Sequence, residues 1–207
     1  MRRLLDCTLT VVIAVVVAVP PSATAEPQLL SQDFIDQGWL ELFDGQSLLG
    51  WQTIGEAEWK VADGAIFTQG EKPGWLMTTA ECGNFELHVE FKAPAKTNSG
   101  IFLRTVLHPT DPTKDCYELN IAPRDNPFPT GSLVGRRTAQ APLDLWNGAW
   151  HTFEITANGG KFVIHCDGRL ILQYDDPSPI RRGHVGLQSK AGEVSFRSIR
   201  LREIGGN

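Results

Sequence analysis

Between Asn84 and Ile121 the chain alternates apolar and polar positions with a period of two, which predicts strands at Phe85–Phe91, Ile101–Thr105 and Tyr117–Ile121. In the first, Phe85, Leu87, Val89 and Phe91 share one face and Glu86, His88 and Glu90 the other, because successive strand side chains point to opposite sides. In the second, Ile101 and Leu103 alternate with Phe102 and Arg104; in the third, Tyr117, Leu119 and Ile121 alternate with Glu118 and Asn120. If the three strands are neighbours, His88, Glu90, Arg104, Glu118 and Asn120 gather on one face, a cluster of carboxylate, guanidinium and amide suited to a polar ligand. Alternation of this kind also describes a solvated sheet face with no function. Two details weigh the other way: the polar groups are short or planar rather than lysines, and the turn "TNSG" brings Asn98 and a glycine close to Arg104.

The same pattern recurs along the chain. "GWLELF" (38–43) alternates and ends at the Asp44-Gly45 pair, "AEWKVADGAIFTQ" reads as a hairpin about Asp63-Gly64, and "GWLMTTAEC" is a further strand. "GSLVGRR" gives a short strand, and "HTFEITANGGKFVIHCDGRLILQYDD" three more, joined at Asn158-Gly159-Gly160 and Asp167-Gly168. The tail "GHVGLQSKAGEVSFRSIRLREI" reads as a pair of strands about Ala191-Gly192. Two loops, 106–115 with two prolines and 122–130 with three, cannot pair in a central sheet and are expected to stand as walls beside it. No helical periodicity of usable length follows the leader, so the fold class is all-β, a sandwich or jelly roll.

Composition changes the picture at the start of the chain. Arg2 and Arg3, the apolar run 9–19 and Ala23-Thr24-Ala25 have the form of a secretory signal peptide over residues 1–25, cleaved near Ala25. That run is too short to span a bilayer, and no second one follows, so the expectation is a secreted or periplasmic protein without a membrane span. The rest divides into a linker (26–37), one sandwich domain (38–204) and a tail (205–207). Without the leader, 17 basic residues face 23 acidic ones, and the basic pairs Arg136-Arg137 and Arg181-Arg182 form no patch, which argues against nucleic acid as a partner. Cys82, Cys116 and Cys166 match no zinc spacing; one bridge with a free thiol and three buried thiols both fit.

The segments "GWLELFDGQSLLGW", "NFELHVEFKAPAKTNSGIFLR", "YELNI", "TGSL" and "GHVGLQSKAGEVSFRSIRLREI" together resemble the 3-keto-disaccharide hydrolase domain family over roughly residues 38–204. The resemblance implies a concanavalin A-like sandwich of two antiparallel sheets whose concave face binds sugar. It also implies a substrate whose C3 ketone is installed by a separate sugar 3-oxidoreductase, followed by hydrolysis, or elimination and hydration, of the glycosidic bond. A C3 ketone acidifies the C2 hydrogen, so the chemistry needs a base, a group to hold charge on the ketone oxygen, and an acid for the leaving group.

Carried onto this chain, Glu118 or His88 is the candidate base and Arg104 the charge-stabilising group. Asn120 and Gln188 are hydroxyl-orienting amides, Trp146 is a stacking platform, and Glu90, Asn98 and Lys190 are further contacts to the sugar. The chain departs from the family pattern at Asn120, where Gln is common, at Ala122, where an acid is frequent, and at Lys190, where His is common. Trp39, Trp51 and Trp59 are read as core, and His151 as structural. Glu90 and Glu118 offer oxygen ligands of the kind Ca²⁺ or Mn²⁺ takes, but no loop has a calcium-type spacing, so a metal is left open. Two other readings stand beside the first: a paired-carboxylate glycosidase using Glu86, Glu90 and Glu118, and a lectin-like module for sugar or polysaccharide without chemistry.

Overall fold

The computed structural model describes residues 31–140, 143, 145 and 148–205. A one-turn helix α1 (Gln32–Asp36) precedes β1 (Leu40–Glu41), β2 (Trp51–Gly55), β3 (Lys60–Ala62), β4 (Ala65–Gly70), β5 (Gly74–Cys82) and β6 (Phe85–Lys92). Then come β7 (Asn98–Thr105), β8 (Tyr117–Ile121), β9 (His151–Asn158), β10 (Lys161–Cys166), β11 (Arg169–Asp175) and β12 (Gly183–Glu203). Every pairing between these strands is antiparallel.

The strands form two layers. The first runs β11-β10-β9-β6-β12-β4-β3, with β1 alongside the last part of β12. The second runs β2-β5-β12-β7-β8. Between them lie the apolar faces, with Phe85, Leu87 and Phe153 from the first layer and Leu76, Ile101 and Leu119 from the second, all essentially solvent-free. This is an all-β, two-sheet antiparallel jelly-roll sandwich. Trp39, Trp51 and Trp59 are buried as expected, and Cys82, Cys116 and Cys166 are buried free thiols. Asp63 and Gly64, both at positive φ (51° and 71°), make the tight β3–β4 hairpin that Asp-Gly signals.

Four expectations change. The tail is one strand instead of two: its first half, to Ala191, pairs with β5 and β7 in one sheet, and from Gly192 it pairs with β4 and β6 in the other. Ala191-Gly192 is therefore a corner between layers, and Gly192 fits there because a Cβ would sit 3.1 Å from Thr97 Cα. Consecutive strands β6 and β7 are not neighbours, because residues 93–97 carry the chain from one sheet to the other. "GSLVGRR" appears only as isolated bridges from Leu133 to Leu119 and Arg137, while β2 and α1 carried too little periodicity to be foreseen.

The departure with most consequence is Arg104. Alternation puts it on the outer face beside Phe102, but the register between β7 and β12 shifts between His184 and Gly186, and Arg104 takes a positive φ of 49°. An extra residue in one strand is a bulge, and it turns the side chain inward. There Arg104 is fully buried and donates five hydrogen bonds: Nε to Gly83 O (2.8 Å), Nη1 to Gly159 O (2.6 Å) and Ile180 O (2.8 Å), and Nη2 to Asn84 Oδ1 and Ala157 O (both 3.1 Å). Five is the full donor capacity of a guanidinium. Arg104 is thus a plug joining three chain segments at one end of the sandwich, and has no donor left for a substrate.

Truncating Arg104 removes hydrogen bonds to four backbone carbonyls and one side-chain carbonyl, of which Asn84 Oδ1 keeps a second donor in Gly159 N. Arg104→Met is expected to cost about 3 kcal/mol or more in urea unfolding. A loss below about 1 kcal/mol would remove Arg104 from this structural role.

Candidate active site

Residues facing each other across a sheet share a face, so the registers of the second sheet define its outer surface. Phe102 lies opposite Glu118 on β8 and Gly186 on β12; Gly100 lies opposite Asn120 and Gln188; Gln188 lies opposite Trp75 on β5. Two glycines make a hollow among these side chains. A Cβ on Gly100 would meet Leu119 O at 3.1 Å and Glu118 Cγ at 3.4 Å, and one on Gly186 would overlap Met77 Sδ. The result is a cleft of about 280 Å³ with Phe102, Glu118, Gln188 and Lys190 in its lining, Pro73 and Trp75 on one side, and Pro109, Thr110 and Pro112 from the loop 106–115 on another.

That loop is a wall, as its proline content suggested, and its own carboxylates hold it. Asp115 Oδ2 accepts hydrogen bonds from Thr110 N (2.8 Å), Thr110 Oγ1 (3.0 Å) and Asp111 N (2.9 Å), while Asp111 Oδ1 accepts from Thr113 N (2.9 Å) and Thr113 Oγ1 (2.6 Å). These bonds hold Asp111 below the usual carboxylate range, with the Lys114 ammonium the leading cause. The second proline-rich loop folds away from the cleft lining, tied by Thr130 Oγ1 to both the N–H and the carbonyl of Ala122.

Glu118 is the chemical centre of the cleft. It is 8% exposed, and burial pushes its pKa up, opposed by the nearby Lys190 ammonium and a hydrogen bond from the Gln188 side chain. A carboxyl group raised toward neutrality by desolvation is suited to proton abstraction, because a base works best with a pKa near the working pH. Two polar atoms of residues lining the cleft, Gln188 Oε1 and Trp75 Nε1, are shielded from solvent and have no hydrogen-bond partner among the described residues.

The structure brings Glu118, Gln188 and Lys190 together and separates the other candidates. Asn120 is buried and its Nδ2 donates to Phe128 O, so its amide anchors the second proline-rich loop. Asn98, half-buried at the start of β7, lies on the same face as Gly100 by alternation but outside the cleft lining. His88 and Glu90 lie on the outer face of the opposite sheet, since β6 belongs to that layer. There Glu90 pairs with Arg197 at 2.6 Å, and the His88 ring lies 4.6 Å from that of Trp39, its pKa lowered by burial. Arg104 is the interior plug. Trp146 lies outside the described residues.

Trp75, Phe102 and the two glycines escaped sequence reasoning. The signal for Gly100 was present, since a glycine inside a strand marks a close approach. Trp75 carried none, because only the β5–β12 register reveals that it faces Gln188.

The donor set does not suit a divalent ion. Among the described residues Glu118 is the only carboxylate lining the cleft, and an ammonium lies near it, whereas Ca²⁺ or Mn²⁺ takes several oxygen ligands, and Glu90, the other expected ligand, is on the far sheet. Among the described residues no group of three or more His, Cys, Asp or Glu could hold a metal. The paired-carboxylate arrangement fails for the same reason: Glu86 and Glu90 are ion-paired with Arg202 and Arg197 on the far sheet.

A family model described as the 3-keto-alpha-glucoside-1,2-lyase-like domain matches residues 38–202. The chain belongs to this family. A 3-keto-disaccharide hydrolase of Bacteroides thetaiotaomicron is 22% identical to this lyase-like domain protein over 81% of the chain and 79% of the relative. Among solved structures, a candidate glycosyl hydrolase from Parabacteroides distasonis superposes with a TM-score of 0.74 at 17% identity, covering 86% of this chain and all of the other. The VIP36 exoplasmic/lumenal domain in its Ca²⁺/Man3GlcNAc-bound form gives a TM-score of 0.59 at 14% identity, covering 83% of this chain and 90% of that one. At such identities the structural likenesses establish the fold, and the site of this family member rests on its own geometry.

The shift at Glu118 has a stability consequence. Its folded-state pKa lies above the unfolded value, so the native state binds the proton more tightly; that stabilisation is present at low pH and is lost as the pH rises through the raised pKa. Glu118→Gln is expected to melt above the wild type at about pH 8 and to converge with it at about pH 4. Equal melting temperatures across this range would show that Glu118 is not destabilised by burial.

Proposed function

We propose that the protein is a secreted enzyme that cleaves the glycosidic bond of 3-keto-glycosides, with Glu118 as the base. The buried, upshifted carboxyl of Glu118 beside Lys190 is the observation that carries the reading. The family membership and the 3-keto-disaccharide hydrolase relative support the substrate class. Secretion is supported by the signal-peptide pattern at residues 1–25. A separate sugar 3-oxidoreductase supplies the ketone.

The Glu118 carboxylate takes the C2 proton, and the C–H electron pair moves into a C2–C3 enolate with its charge on the ketone oxygen. Lys190, in place of Arg104, is the charge-stabilising group. Collapse of the enolate restores the ketone, forms the C1=C2 bond and expels the aglycone oxygen with the C1–O pair. The proton now on Glu118 passes to that oxygen. Addition of water across C1=C2 completes a net hydrolysis.

One observation favours a second reading, a non-catalytic sugar-binding module: among the described residues no second carboxylate lines the cleft to serve as a separate acid. An aryl aglycone leaves without acid assistance, so a chromogenic substrate separates the two. The chain from Glu26 is expected to release 4-nitrophenol from a 3-keto-glucoside and not from the unoxidised glucoside, and to do so equally with chelator present. Binding of both sugars without release would establish the module instead.

Lys190 gives a sharper test. Its charge holds the pKa of Glu118 down, so Lys190→Met is expected to move the acid limb of kcat/KM to higher pH and to lower the plateau about 100-fold. Lys190→Arg should restore the limb. An unmoved limb in Lys190→Met would dissociate this lysine from the base.

A further inference from the structure

The two unpartnered atoms of the cleft are a donor and an acceptor on neighbouring strands. Trp75 and Gln188 face each other in register on β5 and β12, and both line the cleft. Trp75 Nε1–H can only donate and Gln188 Oε1 can only accept. Neither finds a partner among the described residues, although Gln188 is only 6% exposed. Unpaired buried polar groups are costly, so a site that keeps two of opposite character is built for something that satisfies both.

The group that fits is a hydroxyl, which accepts and donates at once. A ketone oxygen would leave Gln188 Oε1 unpaired, and a cation would leave Trp75 Nε1 unpaired. The Gln188 side chain lowers the pKa of Glu118, which calls for its N–H₂ end on the Glu118 side and leaves Oε1 for the ligand. A cleft of about 280 Å³ lies at the small end of ligand sites, so it suits one sugar ring.

We propose that Trp75 and Gln188 read the C4 hydroxyl of the 3-keto sugar, making Trp75 a specificity-determining residue; this rests on the reading of the cleft as a keto-sugar site. Position follows from strand order. Glu118 on β8 serves C2, and Trp75 on β5 is three strands away, about 14 Å at the backbone. With C2 at Glu118 and the ketone oxygen at Lys190, the next group around the ring, away from Glu118, is the C4 hydroxyl. It accepts from Trp75 Nε1–H and donates to Gln188 Oε1.

The test compares 4-nitrophenyl 3-keto-α-glucoside with its 4-deoxy analogue on the wild type and on Trp75→Phe, which removes the N–H but keeps an aromatic ring beside Phe102, now 5.9 Å away between centroids. The wild type is expected to prefer the hydroxylated substrate about 10- to 100-fold in kcat/KM, and Trp75→Phe to bring that ratio close to one. Turnover with the same ratio in both proteins overturns the hydroxyl reading and leaves the enzymatic one standing. If neither substrate turns over, calorimetric binding of methyl 3-keto-α-glucoside and its 4-deoxy analogue decides. A preference lost in Trp75→Phe sustains the hydroxyl reading and sinks the enzymatic one; equal binding, or none, sinks both.

Discussion

A single buried guanidinium closes one end of this sandwich, and much of the geometry elsewhere answers to it. Among the described residues Arg104 has no carboxylate partner; its charge is met by carbonyl dipoles and by the rings of Phe85 and Phe162 within 6 Å. To bring it inward, β7 must bulge, and the strand opposite must come close: a Cβ on Gly183 would lie 2.5 Å from the Arg104 carbonyl carbon. Residue Ile180, held through its carbonyl by Arg104, also donates its N–H to Tyr117 Oη, which in turn donates to Asp176, the ion-pair partner of Arg136. The segment leading into β12 is thereby clamped on both sides. The bulge locks β7 against β12, and that register places Gly100 and Phe102 beside Glu118.

Strand β12 is the second constraint. Its passage from one layer to the other means that the residues flanking Gln188 and those flanking Arg197 belong to one strand yet face different surroundings. Before the corner, its outer face is a hollow with unpaired polar atoms. Beyond it, every arginine is matched: Arg197 with Glu90, Arg200 with Glu41 and Arg202 with Glu86. Beyond the corner the arginine charges are answered by carboxylates, whereas the hollow before it carries the candidate site.

Most strands were legible because period-two alternation survives wherever one face is buried, and β8 agrees residue for residue with its expected span. The cluster of five polar residues was not legible, because alternation assigns a face within a strand and says nothing about which sheet receives it. His88 and Glu90 were lost to that ambiguity, and Arg104 to a bulge that reverses alternation for one residue. Asn120 occupies the expected face, but its amide is spent on Phe128 O. Glu118 came from alternation and the resemblance together and Gln188 and Lys190 from the resemblance, and the registers of β8, β7 and β12 bring the three into one cleft. Trp75 depended on pairing across 113 residues of chain, which no local pattern encodes.

A lone carboxylate would be a poor endowment for an ordinary glycosidase, which needs one group to protonate the leaving oxygen and another to attack or to activate water. It is a sufficient one where the substrate brings its own activation. A ketone at C3 makes C2–H acidic, so the protein need only supply a base of suitable strength, a positive charge at the developing enolate oxygen, and a pocket that excludes water. In the proposed reaction, burial of Glu118 would set the base, Lys190 would moderate its upward shift while supplying the charge, and a wall stiffened by two prolines and two self-capping aspartates would flank the ring. The electrostatic conflict in the cleft fits that division of labour: burial raises the pKa of Glu118, and the lysine proposed to hold the enolate charge opposes the rise.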